Sequence, residues 1–183
     1  MYPFVRLAWQ LLRHRGDPPM DLTDVHVSRH LCLPWDLDGF GEMNNGRILT
    51  LMDLGRFTAG TRIGLLTTLR REGWGLAVAG GSVRYRRRIT AFARIEMRTR
   101  TVGWDARFVY IVQEMWVRGE CACQAVLRTA VTGDRRAVPT DRVLAALGRT
   151  APAPVLPDWV AAWAEADALR PWPPVATRDA SEP

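Results

Sequence analysis

From Asn44 onward, Ile48, Met52, Gly55, Ala59, Ile63 and Leu66 recur at helical spacing, and after Gly73 the apolar period changes to two. Val83, Tyr85 and Ile89 alternate with Arg84, Arg86 and Arg88, then Ile95, Met97, Thr99 and Thr101 with Arg94, Glu96, Arg98 and Arg100. That alternation describes half-buried antiparallel strands with a charged outer face. Two more strands are expected at 107–117 and 120–132, separated by the hairpin turn Arg118-Gly119, with Gly103-Trp104-Asp105 turning the chain before them. A β-branched stretch at 25–35 precedes the helix as a first strand. The pattern is α+β: an antiparallel meander with one long helix, whose small residues Gly55, Ala59 and Gly60 would admit a closely wrapped sheet.

The flanks read differently. Val5, Ala8, Trp9 and Leu12 share a face of an amphipathic helix within residues 1–16, with Arg6, Arg13 and Arg15 interspersed. This segment falls short of the roughly 20 apolar residues of a membrane span. Docking on the protein's own body or a partner subunit is one expectation, and peripheral membrane contact another. Residues 139–147 form a short helix, 151–157 a stiff proline-containing linker, and 158 starts another helix carrying Trp159 and Trp163. A proline-rich, mobile tail is expected at 171–183. The division is therefore 1–24 helix and connector, 25–147 main domain, and 148–183 linker, short helix and tail.

A chain of 183 residues, 48% hydrophobic and 24% charged, accommodates one domain with a sizeable core. All 25 basic residues are arginine, which a GC-rich coding bias produces by itself, so the net charge of +6 is discounted as a sign of nucleic-acid binding. Cys32, Cys121 and Cys123 are an odd number, which suits reduced thiols in a cytoplasmic setting better than a disulfide framework. With His14, His26 and His30 all N-terminal, no metal site and no cofactor are expected.

The stretch leading into the helix, Leu33 to Leu49, contains three acids, three glycines and two asparagines. It resembles the active-site loop of the hotdog-fold thioesterase superfamily, 4-hydroxybenzoyl-CoA thioesterase-like branch, at Asp36, Asp38, Gly41, Asn44, Asn45, Gly46, Arg47 and Leu49. It departs from that loop where Glu42 replaces a common His and Ile48 an aromatic. The resemblance covers roughly residues 25–147. It implies a hotdog fold, in which an antiparallel sheet wraps a central helix, with short extra helices at both termini here. It also implies a thioesterase acting on an acyl-CoA or acyl-carrier-protein thioester, with CoA present only as part of the substrate. A homodimer or homotetramer made by joining sheets follows from the same resemblance.

Thioester hydrolysis needs a carboxylate that activates water or attacks, and donors aimed at the developing oxyanion. The resemblance gives the carboxylate role first to Asp38, with Glu42 and Asn44 beside it. Unpaired N–H groups at a helix start near Met43, Asn44 and Asn45 would supply donors. Gly41, which allows close backbone approach, and Arg47 on the helix join Met43 and Asn45 as candidate substrate-binding residues, and Gly81 and Ser82, in a turn before the arginine-rich strand, would line the pantetheine path. Arg86, Arg87 and Arg88 are candidates for the CoA phosphates. The alternative for Asp36 and Asp38 is an acidic turn that caps the helix. Glu42 admits three readings: a like-charge neighbour of Asp38, a replacement base, or the mark of a member that binds without hydrolysing. Asp53 on the helix is either a substitute carboxylate or half of a surface pair with Arg56.

Overall fold

The computed structural model describes residues 2–171, so nearly all of the proline-rich tail expected at 171–183 lies outside the described residues. Element α1 (Phe4–Arg13) precedes β1 (His26–Leu31) and a short 3₁₀ turn, Pro34–Asp36. The long helix α2 (Asn45–Arg62) and the shorter α3 (Leu65–Glu72) follow. Then come β2 (Gly75–Tyr85), β3 (Arg94–Trp104), β4 (Val109–Val117), β5 (Glu120–Gly133), the two-residue β6 (Arg136–Ala137), α4 (Thr140–Ala146) and α5 (Asp158–Ala168).

One antiparallel sheet, ordered β1-β3-β4-β5-β2, curls around α2, with β6 paired to the end of β5. This is the hotdog arrangement with extra helices at both ends. Leu51, Met52 and Leu54 on α2 are wholly buried against Ile95, Met97 and Met115 of the sheet's inner face. Truncating such a leucine costs about 2–5 kcal/mol, so α2 is held by packing rather than by propensity. Gly55 sets how closely the sheet can wrap. A Cβ there would lie 2.6 Å from Met97 Sδ and 2.9 Å from Thr99 Oγ1.

Three expectations change on folding. The apolar stripe read as one helix breaks at Gly64, where φ is +83°, and continues as α3 in a new direction. Gly80-Gly81-Ser82 is no turn but lies inside β2, beside a bulge between Val78 and Gly80, and Arg86–Arg88 fall just beyond the strand. β2 pairs with β5 and not with its sequence neighbour β3, so only β3-β4-β5 form a meander. The hairpin turn Arg118-Gly119 forms as expected, both residues taking positive φ and joining Val117 to Glu120.

The segment expected to be a stiff spacer lies against the sheet's outer face. Leu156 packs beside Gly103, Val160 of α5 is fully buried with Tyr110, Val112 and Val126, and Asp167 pairs with Arg128 at 2.7 Å. At the opposite edge, α1 covers β1: Gln10 Nε2 donates to Arg29 O at 2.9 Å. A sheet edge with unpaired backbone groups is thereby blocked. Among the described residues no strand pairs with the outer edge of β2, and Leu76, Val78 and Tyr85 are exposed.

Candidate active site

The acidic loop is a tight hairpin stitched to both the sheet and the helix. Leu37 bridges Met43, Asp38 N donates to Glu42 O at 2.8 Å, and Gly41 N donates to Asp38 O at 3.1 Å. Gly41 takes φ +73°, a conformation that L side chains adopt at a cost. At the hairpin base, Met43 N donates to Ile89 O (2.7 Å) and Asn44 N to Asp36 O (2.9 Å). The start of α2 is therefore fixed against the core before any ligand arrives.

Asp36 and Asp38 part company here. The Asp36 carboxylate is 1% exposed and accepts from Arg6 Nη2 at 2.8 Å and Leu33 N at 2.9 Å, with Arg47 Nε 3.2 Å away. It is the electrostatic post that ties α1, the loop and α2 together. Asp38 is only half-buried: its Oδ1 accepts from Phe40 N at 2.8 Å, and Oδ2 has no hydrogen-bond partner among the described residues. A carboxylate with one oxygen anchored and one free is oriented without being neutralised, as a base or nucleophile requires.

The helix start offers fewer donors than its sequence suggests. Asn44 Oδ1 accepts from Gly46 N (2.9 Å) and Arg47 N (3.3 Å), so this side chain is the N-cap. Its candidate catalytic role gives way to that cap. Met43 is likewise unavailable, its side chain buried in the core and its N–H bonded to Ile89. The Asn45 N–H has no acceptor among the described residues and is the donor that remains. Arg47 is committed to Asp36 and borders an open groove of about 470 Å³ with Tyr2, Trp35 and Thr50.

Glu42 points to Arg88, whose Nε lies 2.9 Å from Glu42 Oε2. Arg87 pairs with Glu120 at 3.2 Å, and the exposed Arg86 has no carboxylate partner among the described residues. Exposed pairs of this kind are worth at most about 1 kcal/mol, so a polyanion could compete for both arginines. The backbone N–H groups of Arg86 and Arg87 both donate to Ala122 O, which seats the basic run at the sheet's end. Gly81 and Ser82 are exposed on β2. A Cβ at Gly81 would meet Leu127 Cδ2 at 2.6 Å, so glycine there serves strand packing, while Ser82 faces an outer groove lined by Trp159 and Trp163 rather than the loop.

One network escaped the sequence reading. Asp53 Oδ2 accepts from Tyr2 OH (2.7 Å) and Oδ1 from Arg56 Nη2 (2.9 Å). Arg56 Nη1 also donates to Gln113 Oε1 (2.5 Å), and Gln113 Nε2 donates to Met52 O (2.7 Å) and Thr99 Oγ1 (2.9 Å). Burial, followed by the Asp53 hydrogen bond, raises the Tyr2 phenol, so it stays a donor at neutral pH. Both Asp53 oxygens are thus occupied, as the ion-pair reading expected. The available signal was Gln113 itself, a polar residue in the inward register Ile111-Gln113-Met115 of β4. Among the described residues no cluster of His, Cys, Asp or Glu could hold a metal ion.

A family model described as the thioesterase-like superfamily matches residues 32–164. Protein THEM6 of Xenopus laevis is 33% identical over 163 residues, covering 87% of this chain and 77% of that protein. Among solved structures, a hypothetical protein, AQ1494, from Aquifex aeolicus superposes with a TM-score of 0.61 at 11% identity, covering 67% of this chain and 98% of its own. A DHNA-CoA thioesterase from Staphylococcus aureus superposes with a TM-score of 0.58 at 17% identity, covering 79% and 92% respectively. These two structural likenesses establish the shared fold.

Proposed function

This chain belongs to the thioesterase-like superfamily, and from that premise we propose that it hydrolyses an acyl-CoA or acyl-carrier-protein thioester. The observation that carries the reading is the half-buried Asp38, held by Phe40 N through one oxygen and free at the other, in the loop that leads into α2. Asp38 activates water or attacks the acyl carbon itself. The Asn45 N–H, at the positive end of the helix dipole, donates to the oxyanion. Arg86 and, after exchange of their surface partners, Arg87 and Arg88 take the phosphates of the carrier.

The working unit in this reading is at least a dimer. β2 is eleven residues long, with one edge unpaired among the described residues and no lysine or proline to blunt it, and an open edge of that length is a template for a second strand. Joining two β2 edges would extend the sheet across both subunits and bring the partner's chain toward the substrate.

A second reading, an acyl-thioester or lipid-binding protein without turnover, is favoured by the occupied N–H groups of Met43, Asn44, Gly46 and Arg47. With one helix-start donor left, oxyanion stabilisation in a single chain is thin. The two readings separate in one experiment, free-thiol release from short, long and aromatic acyl-CoA esters alongside calorimetric binding of the same esters. Turnover of any ester supports hydrolysis. Saturable binding with no thiol released supports the binding protein, and neither signal sinks both.

A further inference from the structure

Helix α1 is built inside out. Its polar residues face the protein: Arg6 reaches Asp36 and Leu31 O, and Gln10, 4% exposed, reaches Arg29 O. Leu7 packs against the core, but most of its apolar residues face outward, with Phe4 69%, Val5 85%, Trp9 61% and Leu12 64% exposed and Ala8 exposed among them. A surface helix in water ordinarily buries the apolar face. Here the buried Arg6–Asp36 pair and the Gln10 bond to the β1 edge fix the helix in the opposite orientation, so the apolar face is held out and cannot roll inward without breaking them.

The surround of that face is cationic. Trp9 borders a groove of about 730 Å³ that runs over the outer ends of β1, β3 and β4, with Arg29, Arg94, Arg98, Trp116 and Arg118 along it. Arg98 is neutralised by Glu96, but Arg29, Arg94 and Arg118 are exposed and have no carboxylate within ion-pair distance among the described residues. Arg13 and Arg15, at the end of the helix, are also exposed and unpaired in the same sense. We infer that the outward face of α1, with this arginine-lined groove, is an interfacial anchor that seats the protein on an anionic lipid surface.

The charge argues for lipid over a second copy of this chain, since two copies meeting through α1 would oppose these arginines to one another. The sheet order argues the same way: α1 covers the β1 edge, while the open edge available for joining subunits is β2, at the far side of the sheet. Ten residues rise only about 15 Å, so α1 lies in the interface rather than crossing it. Among the described residues no helix is long and apolar enough to cross a membrane. Phe4, Val5, Trp9 and Leu12 would enter the acyl boundary while the arginines meet headgroup phosphates.

The test is vesicle flotation of the full chain with phosphatidylcholine vesicles, with and without phosphatidylglycerol. Two variants accompany the wild type, Val5→Glu with Trp9→Glu, and Arg29→Gln with Arg94→Gln. All four positions are exposed, and the unfolding midpoint checks that the fold is kept. Wild type should float with the anionic vesicles. The apolar-face variant should lose about tenfold or more of its partitioning, and the groove variant about fivefold per arginine, on the anionic vesicles alone. Failure of the wild type to float, or flotation indifferent to Val5→Glu with Trp9→Glu, overturns the inference. So does a change in solution mass in that variant, which would make α1 an interface between copies.

Discussion

Asp36→Ala removes the post on which the N-terminal half of the fold is tied, and its cost can be worked from the contacts. The lost carboxylate is 1% exposed and serves Arg6, Arg47 and Leu33 N. Breaking one side of a buried ion pair costs about 3–5 kcal/mol because the partner is left charged and unpaired. The two arginine side chains keep 20% and 22% of their exposure, so water recovers part of that loss, and about 2–4 kcal/mol is expected. For a chain of 183 residues about 3 kcal/mol corresponds to roughly 6–12 °C in Tm. Urea unfolding at pH 7 measures the free energy. Limited trypsin digestion gives a local readout, since Arg13 and Arg15 should be cut faster once α1 loses its Arg6 tether. Adding Arg6→Met to Asp36→Ala should recover part of the loss, because one orphaned charge goes with it. A midpoint within about 1 kcal/mol of wild type, with unchanged cleavage, would refute the assignment of Asp36 as a structural post.

Three further outcomes follow from the same contacts. Asn44→Ala should cost about 1 kcal/mol of stability through loss of the α2 N-cap, and Asn44→Asp should restore most of it, both read by urea midpoint. His26 is wholly buried and accepts from Arg62 through Nδ1, and desolvation, with His14 and Arg62 nearby, brings it down from an ordinary value near 6.5 to about 4. The unfolded chain then binds the extra proton between those two values, so stability is full above pH 6.5 and falls as pH drops toward 4. The loss is on the order of 3 kcal/mol from this residue, and a His26→Gln variant should show a shallower acid limb. Gly55→Val should destabilise by about 1–3 kcal/mol by pushing the sheet off α2, which thermal unfolding would show against a neutral Gly16→Ala control.

How far the fold could be read in advance depended on whether each signal was local. Asn44 as cap, the stripe from Ile48 to Met52 and the Arg118-Gly119 hairpin are set by residues within a few positions of one another, and each formed where its spacing put it. β2 hides from a periodic reading because an edge strand has little need to alternate: Leu76, Val78 and Tyr85 are exposed, and Gly80 and Gly81 mark a bulge and a close approach to Leu127, not a turn. Its pairing with β5 is non-local and leaves no periodic trace. α1 was legible as amphipathic, yet nothing in its period says which face turns inward. That is decided by Arg6 and Gln10 meeting Asp36 and Arg29, partners far along the chain. The site followed the same rule. Its loop was visible as a motif, while the occupancy of the helix-start donors by Ile89, Asp36 and Asn44 required the folded backbone.

The most direct measurement of the central claim is kcat/KM for Asp38→Asn on whichever acyl thioester the wild type turns over best, taken with the unfolding midpoint of the same preparation. The proposal expects a loss of about two to four orders of magnitude with the midpoint within about 0.5 kcal/mol of wild type, as Asp38 holds only Phe40 N and its own turn. A kcat/KM within about threefold of wild type would contradict it and take the reaction away from Asp38.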